Sequence, residues 1–160
     1  MAKIRSCDTK PELIVRRYLW SRGYRYRKNV KGLPGTPDII LKKYRVAIFV
    51  HGCFWHGHDD SHLPNSNRDF WQRKIERNQK RDLSSKEALK RKGWNVMTIW
   101  ECQLKPSRRQ NTLREMESLI NSSFLSRYKP TSSTYQHDYE EQAVSQVAEP
   151  QSRYGGKRFT

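Results

Sequence analysis

Three sets of side chains in this 160-residue chain have the types and spacing for chemistry. The first is Asp38, which follows Pro37 and opens the short apolar run Ile39-Ile40-Leu41. A carboxylate at the mouth of a strand is held rigidly by the sheet and can still meet solvent. That suits a metal ligand; closing a turn is the plainer duty for an Asp in such a place. The second lies at the end of another apolar run, Val46-Ala47-Ile48-Phe49-Val50, which leads into His51-Gly52-Cys53-Phe54-Trp55-His56-Gly57-His58. If the two runs are neighbouring strands, Asp38 and His51 arrive in one neighbourhood. Imidazoles titrate near neutrality, so His51 and His56 are candidates for acid–base work.

The same loop carries metal-ligand spacing. Cys53 and His58 flank a four-residue gap, with Gly52 and Gly57 leaving the backbone free to turn around an ion. A reduced cysteine beside histidines fits zinc. Cys102, just beyond a later apolar run, is the third candidate ligand, and Asp59, Asp60 or His62 must supply the fourth. Buried cysteines without metal are the alternative. The third set is aromatic: Phe54 and Trp55 in the loop, and Trp71 shortly after it. Such residues can anchor a loop to a core, or enter a base stack as a wedge.

The elements that position these residues follow from pattern. Thr9 can cap a helix with Pro11 in its first turn and Ile14, Val15, Tyr18 and Leu19 on one face, ending at Gly23. Tyr24 to Val30, residues 37–41, 46–50 and Trp94 to Trp100 read as strands, and Lys42 to Arg45 is short enough for a hairpin. Asp69 to Lys92 reads as a long basic helix with a sparse apolar set of Trp71, Ile75, Leu83, Ala88 and Leu89, and Arg109 to Ile120 as a last helix. The order α-β-β-β-α-β-α argues a three-layer α/β domain around a mixed sheet. From about Ser126 the apolar period vanishes, so residues 1–125 are expected to form the domain and 126–160 a disordered tail.

Charge narrows the partners. Residues 1–125 carry 27 Lys and Arg against 12 Asp and Glu, so nearly all of the net +16 sits on the expected domain. A domain so basic repels itself unless a polyanion neutralises it, and nucleic acid is the common one. Without a run of eighteen apolar residues or a signal-peptide core, a cytoplasmic location is expected, with no membrane partner. Three cysteines are too few for a disulfide framework.

Taken together, Pro-Gly-Thr-Pro-Asp (34–38), Phe-Val-His-Gly-Cys-Phe-Trp-His-Gly-His (49–58), Asp-Phe-Trp (69–71) and Gly-Trp…Ile-Trp-Glu-Cys (93–102) resemble the very short patch repair (Vsr) DNA mismatch endonucleases. The likeness spans roughly residues 4–105. It implies a restriction-endonuclease-like fold of the divergent PD-(D/E)xK class with a structural zinc. The implied activity is magnesium-dependent nicking of duplex DNA on the 5′ side of the thymine in T:G mismatches left by deamination of 5-methylcytosine. By the same resemblance, Asp38 and the main-chain carbonyl of Val50 bind magnesium. His51 and His56 are the catalytic histidines, with His56 acting on the attacking water, and Glu12 lies near the metal-bound waters. Thr9-Lys10-Pro11-Glu12 is equally a capping box, which gives Glu12 a second possible duty. Phe54, Trp55 and Trp71 match the aromatic wedge; Cys53, His58 and Cys102 match zinc ligands.

Three departures stand out. Where relatives place a cysteine after the second histidine, this chain has Asp59-Asp60-Ser61-His62, so His62 is the expected fourth zinc ligand and Asp60 the alternative. Relatives also extend further upstream with a DNA-contacting arm, and residues 126–160 have no counterpart. A monomer is expected, working with a cytosine-5 DNA methyltransferase and mismatch-repair proteins. A non-catalytic zinc-stabilised DNA-binding module and a restriction-type nuclease acting on intact duplex remain open alternatives at this stage.

Overall fold

The structure, a computed structural model, describes residues 7–58 and 67–128. The first helix, α1 (Lys10–Ser21), starts where the pattern places it, with Thr9 as N-cap and Pro11 in the first turn. Its inward residues Val15 and Leu19 are fully buried. Four strands follow in the order β1 (Arg27–Lys28), β2 (Ile39–Leu41), β3 (Val46–His51) and, after the long helix α2 (Arg68–Arg91), β4 (Asn95–Trp100). A 3-10 turn, Glu101–Leu104, leads into α3 (Pro106–Arg127).

The sheet order is β1-β2-β3-β4. The hairpin β2-β3 is antiparallel, with Ile39 opposite Ile48, while β3 and β4 run parallel from Val46 beside Asn95 to His51 beside Trp100. Side chains alternate across a strand, and here the alternation divides the core. Ile39, Leu41, Val46 and Ile48 meet Val15, Leu19, Leu113, Met116 and Ile120 from α1 and α3. Ile40, Ala47 and Phe49 meet Leu89 of α2 on the other face. The result is the expected three-layer α/β arrangement around a mixed sheet. By the same alternation His51, two residues after Phe49, faces the α2 layer.

Local outcomes differ from the sequence pattern at three places. The expected strand from Tyr24 to Val30 contracts to Arg27–Lys28, the only two of its residues that pair with β2, opposite Ile40 and Ile39. Leu83, expected on the apolar side of α2, is 60% exposed; Leu89 is the helix's one buried residue among the described side chains. A helix with so little to bury is held by its ends and by polar ties rather than by a broad apolar stripe. The last helix runs from Pro106 to Arg127, longer at both ends than its apolar set required. Glu117 fastens it to α1, accepting from Tyr18 Oη at 2.7 Å and Arg22 Nε at 2.9 Å. Among the described residues no helix is long and apolar enough to cross a membrane.

Leu89 is therefore the main apolar link between α2 and the sheet. Leu89→Ala should lower stability by about 2–5 kcal/mol, the usual range for a buried leucine, measured by denaturant unfolding. A loss below ~1 kcal/mol would show that Leu89 adds no apolar anchor to those polar ties.

Candidate active site and metal centre

The turn before β2 brings Asp38 into place. Gly35 has φ +71°, and a Cβ there would sit 2.7 Å from the Ser85 Cβ of α2, so only glycine lets this turn approach the helix. Pro37 is buried behind it. The β2-β3 ladder stops at Ile39 opposite Ile48. Beyond it, the Val50 amide donates to Asp38 Oδ2 at 2.8 Å. That bond joins the two strand ends that the sequence had suggested were neighbours.

Burial pushes the Asp38 carboxyl up to about 6; the Val50 hydrogen bond opposes this, the nearby Glu12 charge adds to it, and Arg16 acts against it. Arg16 is already engaged: it meets Asp8 at 2.7 Å and Glu12 at 3.4 Å. Glu12 itself is only 3% exposed. It completes the capping box with Thr9 and stands in the electrostatic surroundings of Asp38. Two acidic groups in a neighbourhood that penalises negative charge make a donor set suited to a hard divalent cation.

On the α2 side, His51 and His56 stack, ring centroids 3.7 Å apart and planes within 10°. With Asp82 of α2 they form a cluster whose ligand atoms all lie within 4.8 Å of one another, spacing that fits a metal ion as well as proton transfer. Burial, then the neighbouring His56, lower the His51 pKa to about 3, which keeps it neutral. Its Nδ1 is buried with no hydrogen-bond partner among the described residues. His56 is oriented by a residue that sequence reasoning missed. Asp82 of α2 meets His56 Nδ1 at 2.5 Å. The only signal for Asp82 in the sequence was an acid within a strongly basic helix, which reads equally well as a surface charge.

The loop between β3 and α2 is tied down by that helix. Asn78 donates to the Trp55 carbonyl at 3.0 Å and Gln79 to the His56 carbonyl at 3.1 Å. Gly57, at φ +62°, packs so tightly that an added Cβ would lie 2.6 Å from Gln79 and Ile75. At the loop's far end the cysteine–histidine set closes. Both strands end at the parallel pair His51–Trp100, and from there a turn and the 3-10 turn bring Cys53 close to Cys102. His58 donates its amide to the Cys53 carbonyl at 3.0 Å, and its ring stacks on Trp100 at 4.2 Å. The ligand atoms of Cys53, His58 and Cys102 all lie within 4.8 Å of one another, with Cys102 Sγ to His58 Nδ1 at 3.5 Å. A tetrahedral zinc with bonds of about 2.0–2.3 Å needs donor atoms at such spacings. His62, Asp60 and Asp59, the candidates for a fourth ligand, lie outside the described residues.

The aromatic residues also come together. Phe54 lies 5.0 Å from Trp55 and 5.3 Å from Trp71, and Phe70, which sequence reasoning passed over, joins Trp71 at 5.4 Å while 54% exposed. Lys74 stands over the Trp55, Phe70 and Trp71 rings at 5.1–5.8 Å, within cation–π range. Half-buried rings on a cationic helix are neither core nor isolated surface. The helix beneath them carries nine Lys and Arg against four Asp and Glu.

A sequence model of the family described as "DNA mismatch endonuclease Vsr" matches residues 1–62. The type II nicking enzyme V.NmeAIP of Neisseria meningitidis serogroup A is 50% identical over 107 residues, covering 66% of this chain and 76% of that protein. The DNA mismatch endonuclease Vsr of Escherichia coli K12 is 37% identical over 107 residues, 66% of this chain and 69% of that protein. Among solved structures, the catalytic domain of homing endonuclease I-Bth0305I is 26% identical, covers 76% of this chain and 100% of that one, and superposes with a TM-score of 0.43.

The Asp38 environment makes a pH prediction. Its folded pKa of about 6 lies above the ordinary 3.8, so the folded protein binds the proton more tightly than the unfolded chain. The group therefore costs nothing below about pH 4, a growing amount between 4 and 6, and its full amount above about 6. In metal-free protein, Asp38→Asn should be more stable than the parent by about 3 kcal/mol at pH 8, with the gain vanishing near pH 4. A gain independent of pH would mean that Asp38 is not a strained carboxylate.

Proposed function

This chain belongs to the DNA mismatch endonuclease Vsr family and is a DNA-nicking endonuclease, and we propose that its substrate is duplex DNA carrying a T:G mismatch, cut on the 5′ side of the thymine with a divalent cation, magnesium first. The observation that carries this reading is one end of the sheet. There a half-buried carboxylate at the start of β2 is tied to the end of β3, and the loop that follows β3 carries two stacked histidines and an aromatic cluster. A binding module without catalysis would need the aromatics and the basic helix but not Asp38, His51 and His56.

Asp38 and the Val50 carbonyl are the groups that would hold the catalytic cation, with Glu12 near its waters. What a cation supplies when bound there is polarisation of the phosphodiester and a lowered pKa for bound water. The protein's own residues do the rest. Asp82, as carboxylate, takes the Nδ1 proton of His56 as a hydrogen bond, which leaves Nε2 free to accept the proton of an attacking water. His51 stays neutral through burial and can relay a proton, taking one at one ring nitrogen as it gives up one from the other, without adding charge beside the metal. The wedge of Phe54, Trp55 and Trp71 enters the stack, and a wobble mispair gives way at lower cost than a matched pair. Lysines and arginines of α2 grip phosphates without reading bases. Cys53, His58 and Cys102 would hold a structural zinc that fixes the loop carrying His56 and the wedge, with His62 first choice for the fourth position and Asp60 second. The methylated cytosine that gives rise to such mismatches links the enzyme to a cytosine-5 DNA methyltransferase and to mismatch repair in the cytoplasm. One active site suffices for a nick, so the working form is a monomer.

The decisive assay presents end-labelled duplexes differing only in one T:G or T:A pair, with magnesium. The parent should nick once, 5′ of the mispaired thymine. Asp38→Ala should lose cleavage by at least about a hundredfold yet still bind, and Trp55→Ala should lower the T:G over T:A preference. Equal cutting of T:A would indicate a nuclease of intact duplex. The zinc site has its own check. Metal analysis should find one zinc per chain in the parent and none in Cys102→Ser, which should also melt several degrees lower; a zinc-free parent would end that assignment.

A further inference from the structure

Phe54 has a second face. Away from Trp55 and Trp71 it lines a cavity of about 390 Å³ together with Ile14 of α1 and Leu104 of the 3-10 turn. Lys10, Lys105 and Arg109 also line it, against one carboxylate, Glu101. Arg109 is held in place, donating Nε to the Leu104 carbonyl at 3.0 Å. Lys10 and Lys105 are exposed. The cavity shares its inner wall with Cys53 and Cys102 and lies apart from the Asp38, His51 and His56 group, none of which lines it.

Its chemistry is that of a ligand part apolar and part anionic. The walls are largely apolar and one is an aromatic ring, while Lys10, Lys105 and Arg109 bring three cations to the lining. Pockets of this size and make-up take one compact ligand rather than an extended chain. Its link to the aromatic cluster supplies the occupant. A side chain that wedges into a duplex leaves the adjoining nucleotide without its stacking neighbour and bends its backbone outward. Phe54 belongs to both the wedge and the cavity, so a unit displaced by one is delivered to the other. We infer that the cavity seats one deoxynucleotide unit of the bound DNA beside the wedge. Its phosphate rests on Lys10, Lys105 and Arg109, and its apolar part lies against Phe54 and Ile14. The inference rests on the mismatch-nicking reading and adds a strand anchor that holds the DNA open during cleavage.

The test replaces phosphates of a T:G duplex, one at a time, with neutral methylphosphonates, and measures binding with calcium in place of magnesium so that nothing is cut. The parent should lose about tenfold in affinity at one linkage near the nick. The double variant Lys10→Ala, Lys105→Ala should bind more weakly throughout, with a salt dependence lower by about one per lysine. It should lose almost nothing further at that one linkage and keep the parent's penalties elsewhere. Both lysines are exposed, so the variant should melt like the parent. An identical penalty at every linkage in parent and variant would overturn the inference. Binding of T:A alongside T:G separates the two readings: lost mismatch preference with the lysine–linkage coupling intact sinks the mismatch reading and upholds the anchor.

Discussion

The parallel pairing of β3 with β4 is the constraint on which the rest of this site depends. In that register His51 lies beside Trp100, the last pair of the ladder, and two residues further on the chain carries Cys53 into a turn and Cys102 into the 3-10 turn. The ladder thus fixes a catalytic candidate and its aromatic partner and sets the point from which both metal-ligand candidates depart. Trp100 stands between the two centres, stacked on His58 at 4.2 Å and edge-on to His51 at 5.3 Å. A slip of one residue would turn every side chain of β3 to the opposite layer, sending His51 away from His56 and Phe49 away from Leu89.

Around that ladder the energetics divide between apolar and polar holding. The face covered by α1 and α3 is an ordinary core, with Ile48, Leu41, Met116 and Ile120 fully buried. The face covered by α2 has little to bury, and its helix is fastened instead through Asn78, Gln79 and Asp82, which bond the loop backbone and His56. The arrangement frees most of α2 to display charge. It also makes the active-site loop part of what holds the helix, so loop geometry and helix position are coupled.

Electrostatically the two sides of the site are prepared differently. Near Asp38 burial and Glu12 disfavour negative charge, a condition that a divalent cation relieves; near His51 burial disfavours positive charge. The acid side is thus suited to gaining a cation and His51 to remaining neutral. Asp82 hydrogen-bonds His56 and reaches His51 only through its charge, which distinguishes the two imidazoles.

Much of this was legible in the chain. The caps and apolar periods located α1, the β2-β3 hairpin, β3 and β4, because these depend on local spacing and on one buried face apiece. Asp38, His51, Cys53 and Cys102 could be named because strand ends and glycine-rich turns mark where side chains leave a sheet. Other features were not legible, since they arise from pairing across long separations. Asp82 acquires its role from a residue 26 positions away. Phe70 becomes part of the aromatic cluster through contact with Trp71 on one side of a helix whose other side is solvent. The Tyr24 to Val30 run has strand composition but only two residues with a partner to pair with. Composition and period state what each segment can do alone; packing selects which of the many charged and aromatic side chains meet, because that choice is made by the register of β3 on β4 and by the few polar ties that orient α2.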